Sequence, residues 1–194
     1  MQEEDGADSL LLVLPSDHRF EEPERFCRAV SNACGVAENG ALVTFGIRPS
    51  CAETGYGWIR AGESLDSEAF RVESFTEKPE KSRAQAMLDA GGHFWNSGIF
   101  LFRASSFLDE LKVLAPSVWE AAQQAWAERR TDLSFLRPSL AFLSSPSVSV
   151  DHAEELTGLD FFSELAPEDE ERLENQCNFS QWERSLPFTK WFKK

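Results

Sequence analysis

The chain is poor in cysteine, poor in positive charge and without long apolar runs. Its four cysteines, Cys27, Cys34, Cys51 and Cys177, form no CxxC pair and no zinc-like spacing. Reduced thiols in a cytoplasmic protein are therefore the expectation. Cys27 and Cys34, seven apart, read as packing residues on a helix. Lys and Arg total 19 against 33 Asp and Glu, a net charge of −14. That balance excludes a general affinity for nucleic acid or an anionic membrane, both of which need a basic surface. It leaves room for nucleotides, which bind through a few local donors. No apolar stretch reaches the length of a membrane span, and the acidic Met1–Asp8 is unlike a signal peptide. There are no internal repeats. With 194 residues, 42% of them hydrophobic, the chain can bury a real core.

What is present is an α/β pattern. Leu10 to Leu14 is a short apolar run closed by Pro15-Ser16-Asp17-His18. Neither alternation nor helical spacing is visible, which suits a strand buried on both faces. Asp17 falls at its carboxyl end, where ligands bind in open α/β sheets. A carboxylate there suits Mg²⁺, or else it caps the next turn. Phe26, Val30, Ala33, Cys34 and Ala37 then recur at helical spacing, up to a stop at Asn39-Gly40. Ala41 to Ile47 is a second buried strand, completing a βαβ unit with a parallel crossover.

Gly55 and Gly57 bracket Tyr56, a turn or a close approach to a ligand. Trp58–Arg60 and Ala69–Phe75 read as strands joined by a polar loop over 62–67. Pro79 places Glu77 and Lys78 at a strand end, where such a pair is either surface or site. Lys81 to Ala90 is a short helix stopped by Gly91-Gly92. In His93 to Arg103 the polar Asn96-Ser97-Gly98 interrupts an aromatic strand, predicting a bulge. Helices are expected from Ser105 to Leu114, with the serines as N-caps, and from Pro116 to Arg130, with Trp119, Ala122 and Trp126 on related faces. Leu133 to Leu143 reads as a helix broken at Pro138. Ser144 to Asp151 reads as extended. Glu164 to Glu174 reads as a solvated helix, and Gln176 to Lys194 as a tail without clear period.

Taken in order, LVLPSDH, LVTFGIRP, ETGYG, FTEKP, FWNSGIFLFRAS and SVSVDHAEE resemble the type II mannose-1-phosphate guanylyltransferases, the GDP-mannose pyrophosphorylases of the sugar-nucleotidyltransferase superfamily. The resemblance covers about residues 5 to 157 and suggests a nucleotidyltransferase domain over 1–159, with 160–194 unassigned. It implies a Rossmann-like mixed sheet with flanking helices. It also implies transfer of a guanylyl group from GTP to mannose 1-phosphate with Mg²⁺, giving GDP-mannose and pyrophosphate. Asp17 matches the metal-binding aspartate. Glu53 and Gly55 lie in the ETGYG match, where a glycine lets backbone amides approach the sugar. Glu77 would accept hydrogen bonds from sugar hydroxyls and Lys78 would hold the sugar phosphate as a point charge. Asn96 would reach the hexose, and Asp151 matches a further family aspartate.

The sequence also departs from the family. The opening glycine-rich loop, G-G-x-G-T-R-L-W-P, and the later W-S-D-x-G have no counterpart. The chain reads as beginning about a hundred residues into the family pattern, a domain-sized offset. DHAEEL stands where the family has DYAVME, and Ala52 replaces the usual proline before Glu53. The nucleotide-binding half is thus expected to be incomplete, and the Leu10–Leu14 strand to have an open edge. Such an edge favours self-association or a complementing chain. Three readings follow: a guanylyltransferase inactive alone, a non-catalytic sugar-phosphate-binding or regulatory module, or a truncated product without activity.

Overall fold

The computed structural model describes residues 8–20, 22–65, 69–147 and, for the backbone, 159–165. Its mixed sheet is built on a long strand that other strands flank from both sides. The strands are β1 (Leu10–Val13), β2 (Leu42–Ile47), β3 (Trp58–Ser64), β4 (Ala69–Thr76), β5 (His93–Arg103) and β8 (Leu159–Leu165). Their order is β1-β5-β2-β8-β4-β3, with a further β5–β3 pairing. Along β5, Trp95 lies between Ile47 and Trp58, and Leu101 between Val43 and Leu12. One edge of β5 therefore carries β2. The other carries β3 and then β1. All these pairings are antiparallel, and among the described residues only β2–β8 is parallel.

β1 and β2 both run antiparallel to β5, so they are parallel to each other, as the βαβ reading expects, but β5 separates them. β1 is not buried on both faces as its composition suggests. Leu12, Val13 and Leu14 are 38%, 44% and 41% exposed, because β1 sits at the sheet margin and pairs along one edge among the described residues. β2 does match its apolar pattern: every residue from Val43 to Ile47 is buried.

The first helix, α1 (Pro23–Glu38), starts on a proline with an acidic first turn, both suited to a helix N-terminus. It ends at Asn39 and Gly40, the latter at φ +97°. Phe26, Ala29, Ala33 and Ala37 make its buried face, and Phe26 packs on Phe45 at 6.2 Å. Cys27 is exposed, so it is not the packing residue its spacing suggests; it falls one position off the buried stripe. α2 (Lys81–Ala90) ends at Gly91 and Gly92, both at φ +67°, and buries Ala84 completely against the main core.

β5 runs on into α3 (Ala104–Leu114) and α4 (Pro116–Ala127). The serines expected to cap α3 lie inside its first turn. Asp8 supplies the acceptor instead, taking Ser105 N at 2.9 Å and Ser105 Oγ at 2.6 Å. In α4 the buried residues are Ala121 and Ala125, not the tryptophan face; small side chains allow the closer approach, and Trp126 stays 38% exposed. No α-helix forms over 133–143. Instead β6 (Arg130–Asp132) pairs with β7 (Phe135–Arg137) around Leu133 at φ +56°, and a 3₁₀ turn follows at Leu140–Ser144. The apolar residues there are largely exposed and supply no buried helical face. β3 extends into the expected polar loop, since Gly62 to Ser64 belong to it, while β4 starts at Ala69 as expected. Glu164 and Leu165, expected to open a helix, are in β8.

Candidate functional site

The loop from Arg48 to Gly57 joins β2 to β3, and two side chains pin its adjacent carbonyls, those of Ala52 and Glu53. Lys81 Nζ donates to Ala52 O at 3.1 Å, and Trp58 Nε1 donates to Glu53 O at 2.9 Å. The Glu53 carboxylate turns back on its own loop. Its Oε1 accepts Gly55 N at 2.9 Å and Thr54 N at 2.8 Å. The Gly55 amide first, and then that of Thr54, stabilise the ionised form and hold Glu53 below the usual carboxylate range; Lys81 adds to this. The Gly55 N–H that the resemblance offers to a sugar is thus engaged by Glu53 in this structure.

Gly57 links two of the predicted residues. Its carbonyl accepts Asn96 N at 2.8 Å. On its other side, a β-carbon built at Gly57 would lie 2.9 Å from Glu77 Oε2 and 2.5 Å from Phe75 Cζ. Only glycine lets the Glu77 carboxylate and the Phe75 ring come so close. Glu77 is mostly buried and Lys78 mostly exposed, their charges 3.0 Å apart. Lys78 has φ +39°. The proline after it disfavours the right-handed helical region, and the backbone takes the left-handed one, which is strained for a residue with a β-carbon.

Asn96 sits at the predicted bulge. Thr44 pairs with Phe100 and Gly46 with Asn96, so three residues of β5 oppose Phe45 alone. Gly98 takes φ +70° there. Ser97 fixes the bulge by donating its hydroxyl to Phe45 O at 2.8 Å and accepting Ile99 N at 3.2 Å. Asn96 Oδ1 lies 2.8 Å from Thr44 Oγ1 and 3.3 Å from Gly98 N. Beside it, Trp95 packs edge-on against Tyr56 and Trp58, and its buried Nε1 has no hydrogen-bond partner among the described residues.

Pro15 Cγ comes within 3.7 Å of the β-carbon position of Gly98, which brings the end of the β1 segment to the bulge. Asp17 follows in an exposed turn and makes no hydrogen bond or ion pair among the described residues. Burial lowers the pKa of the neighbouring His18, and the charge of Asp17 opposes that shift. No group of three or more His, Cys, Asp or Glu side chains is arranged to hold a metal among the described residues. A single free carboxylate fits a cation that takes most of its ligands from water and substrate phosphates. Asn96, Glu77 and Lys78 are thus joined through Gly57, Asp17 approaches through Pro15, Glu53 binds the amides of its own loop, and Asp151 lies outside the described residues. Thr44 is not among the residues the sequence singles out, and Gly57 is singled out only as one of the two glycines bracketing Tyr56. Thr44 had a visible signal as the one hydroxyl within β2, and Gly57 as the glycine at a strand entry.

The nucleotidyl transferase family model matches residues 1–183. The chain is 50% identical over 149 residues to xanthan biosynthesis protein XanB of Xanthomonas campestris pv. campestris (strain B100), covering 76% of this chain and 32% of XanB. It is 47% identical over 152 residues to the mannose-1-phosphate guanylyltransferase of Escherichia coli (strain K12), covering 76% of this chain and 32% of that protein. The chain spans about a third of the length of these curated relatives. Among solved structures it is similar to one described as mannose-6-phosphate isomerase from Helicobacter pylori, with TM-score 0.70 and 31% identity, covering 81% of this chain and 62% of that one. It is also similar to one described as mannose-1-phosphate geranyltransferase from Thermus thermophilus, with TM-score 0.69 and 28% identity, covering 86% of this chain and 46% of that one.

Proposed function

The chain belongs to the nucleotidyl transferase family, and from that premise we propose that it forms the sugar-phosphate-binding part of a cytoplasmic mannose-1-phosphate guanylyltransferase. The reaction joins a phosphate oxygen of mannose 1-phosphate to the α-phosphorus of GTP. The α–β phosphoanhydride bond breaks, and pyrophosphate leaves with its electron pair. The observation that carries this reading is the Gly57 junction, which holds Asn96 through its carbonyl and gives Glu77 room to approach.

In this reading Glu77 accepts hydrogen bonds from sugar hydroxyls, and its burial limits competition from water. Lys78 places its ammonium against the sugar phosphate, on a backbone that the following proline restricts. Glu53 stays ionised to hold the Thr54–Gly55 turn in shape. Asp17 is the residue that would hold Mg²⁺, whose charge, when bound, offsets that of the triphosphate. Asp151 is an additional substrate-binding candidate by resemblance. Three features support the substrate class: the order of the motifs, the guanylyltransferase relative, and a charge balance unsuited to polymeric nucleic acid.

The test is a thermal-shift titration with mannose 1-phosphate and, separately, with GTP plus Mg²⁺. A ligand that binds the folded chain adds about 2.7 kcal/mol of stability at a hundred times its Kd. A shift with mannose 1-phosphate that disappears in Lys78→Ala is expected. A chain that melts cooperatively without responding to either ligand would overturn the reading.

A further inference from the structure

Asn96 is the one member of the site whose hydrogen-bonding sense the structure determines. An amide side chain has an accepting end and a donating end, and a ligand can meet either. Here the Gly98 N–H, which can only donate, points at Asn96 Oδ1 from 3.3 Å. The Thr44 hydroxyl lies 2.8 Å from the same oxygen. Thr44 is fully buried. Its one proton can also reach Ile99 O at 3.0 Å, but the Asn96 contact is the shorter. Reversing the amide would set its NH₂ group against the Gly98 N–H, donor against donor. Asn96 is only half-buried, and its Nδ2 has no partner among the described residues.

We infer that Thr44 is a positioning residue which, with the Gly98 amide, locks Asn96 as a hydrogen-bond donor, so that the ligand group recognised there is an acceptor oxygen. This rests on the sugar-phosphate reading and adds to it the polarity of one contact. A hydroxyl lone pair or a phosphate oxygen satisfies Asn96; a ligand that must donate at this point does not. The contact also links the floor of the site to β2, since Thr44 sits between the buried Val43 and Phe45.

The experiment is calorimetric titration of mannose 1-phosphate into the full chain and into Thr44→Val, Thr44→Ser and Asn96→Asp, with the melting temperature of each recorded. Thr44→Val keeps the shape and removes the hydroxyl; a lost hydrogen bond of ordinary strength corresponds to about a tenfold weaker Kd. Thr44→Ser restores the hydroxyl and is expected to recover the affinity, even where its lost methyl lowers the melting temperature. A purely packing role for Thr44 predicts the opposite pattern, with Val tolerated and Ser impaired. Asn96→Asp keeps the accepting oxygen for Thr44 and Gly98 but removes the donor, and is expected to weaken binding at least as much as Thr44→Val. Wild-type affinity in Asn96→Asp, or equal affinities for Val and wild type, would overturn the inference alone. Absence of binding by the wild-type chain would overturn the sugar-phosphate reading, and the inference with it.

Discussion

Gly57 and Glu77 are packed so closely that no side chain fits between them: a β-carbon on Gly57 would stand 2.9 Å from Glu77 Oε2. Gly57→Ala must therefore move both the carboxylate and the Phe75 ring, whose Cζ would be 2.5 Å away. Overpacking of this kind destabilises by about 1–3 kcal/mol. The expected result is a lower denaturation midpoint together with weakened mannose 1-phosphate binding. Unchanged binding in a folded Gly57→Ala chain would separate Glu77 from the site.

Lys78 predicts a trade between stability and function. Glycine takes its left-handed conformation without the β-carbon penalty, so Lys78→Gly is expected to raise stability by about 1 kcal/mol. The same change removes the ammonium, and sugar-phosphate binding should disappear. Chemical denaturation and calorimetry read the two effects separately. A loss of stability would show that the Glu77–Lys78 ion pair matters more than the backbone strain.

Acid should weaken the fold through two carboxylates. Glu53, held by the Gly55 and Thr54 amides, and Asp8, held chiefly by Ser105, both titrate below their ordinary values of 4.5 and 3.8. Their folded pKa values are depressed, so their contribution is present above those ordinary values and is lost as pH falls through the folded ones. Urea midpoints measured from neutral pH down through this range should fall less steeply in Glu53→Gln and Asp8→Asn than in the parent chain. Parallel curves would show that neither group is linked to folding.

Phe45 is fully buried between the sheet and α1, against Phe26. Phe45→Ala should cost about 3–5 kcal/mol, the usual loss for an aromatic removed from a core. Leu136→Ala, at an exposed position of the β6–β7 hairpin, should change stability by about 0.5 kcal/mol or less. Similar effects at the two positions would place the core elsewhere.

The parts legible in the sequence are those determined by local chemistry. The largely apolar run at Ala41–Ile47, the Asn39-Gly40 stop of α1, the Gly91-Gly92 stop of α2 and the bulge at Asn96-Ser97-Gly98 all have short-range causes. What escaped was set by distant partners. Thr44 meets Asn96 only because β2 and β5 pair. Asp8 caps α3 only because β1 returns alongside β5. The 133–143 segment shows helical spacing, yet its apolar side chains find no helical face to bury against. The site is legible as an ordered set of motifs, but the bonding of Glu53 to its own loop and the polarity of Asn96 become visible only with the hydrogen bonds.

β8 bears on how the protein is made. Leu159 pairs with Leu42, and Ser163 with Ala69, so the last described strand lies between two early ones. As the chain leaves the ribosome, β2 and β4 emerge long before the strand that separates them. Until it arrives, each presents a row of unpaired backbone groups, the exposure that recruits other strands. Closing so long a loop is also a slow route to a contact. The interval before β8 arrives is therefore when the nascent chain is most open to mispairing and has most need of a chaperone.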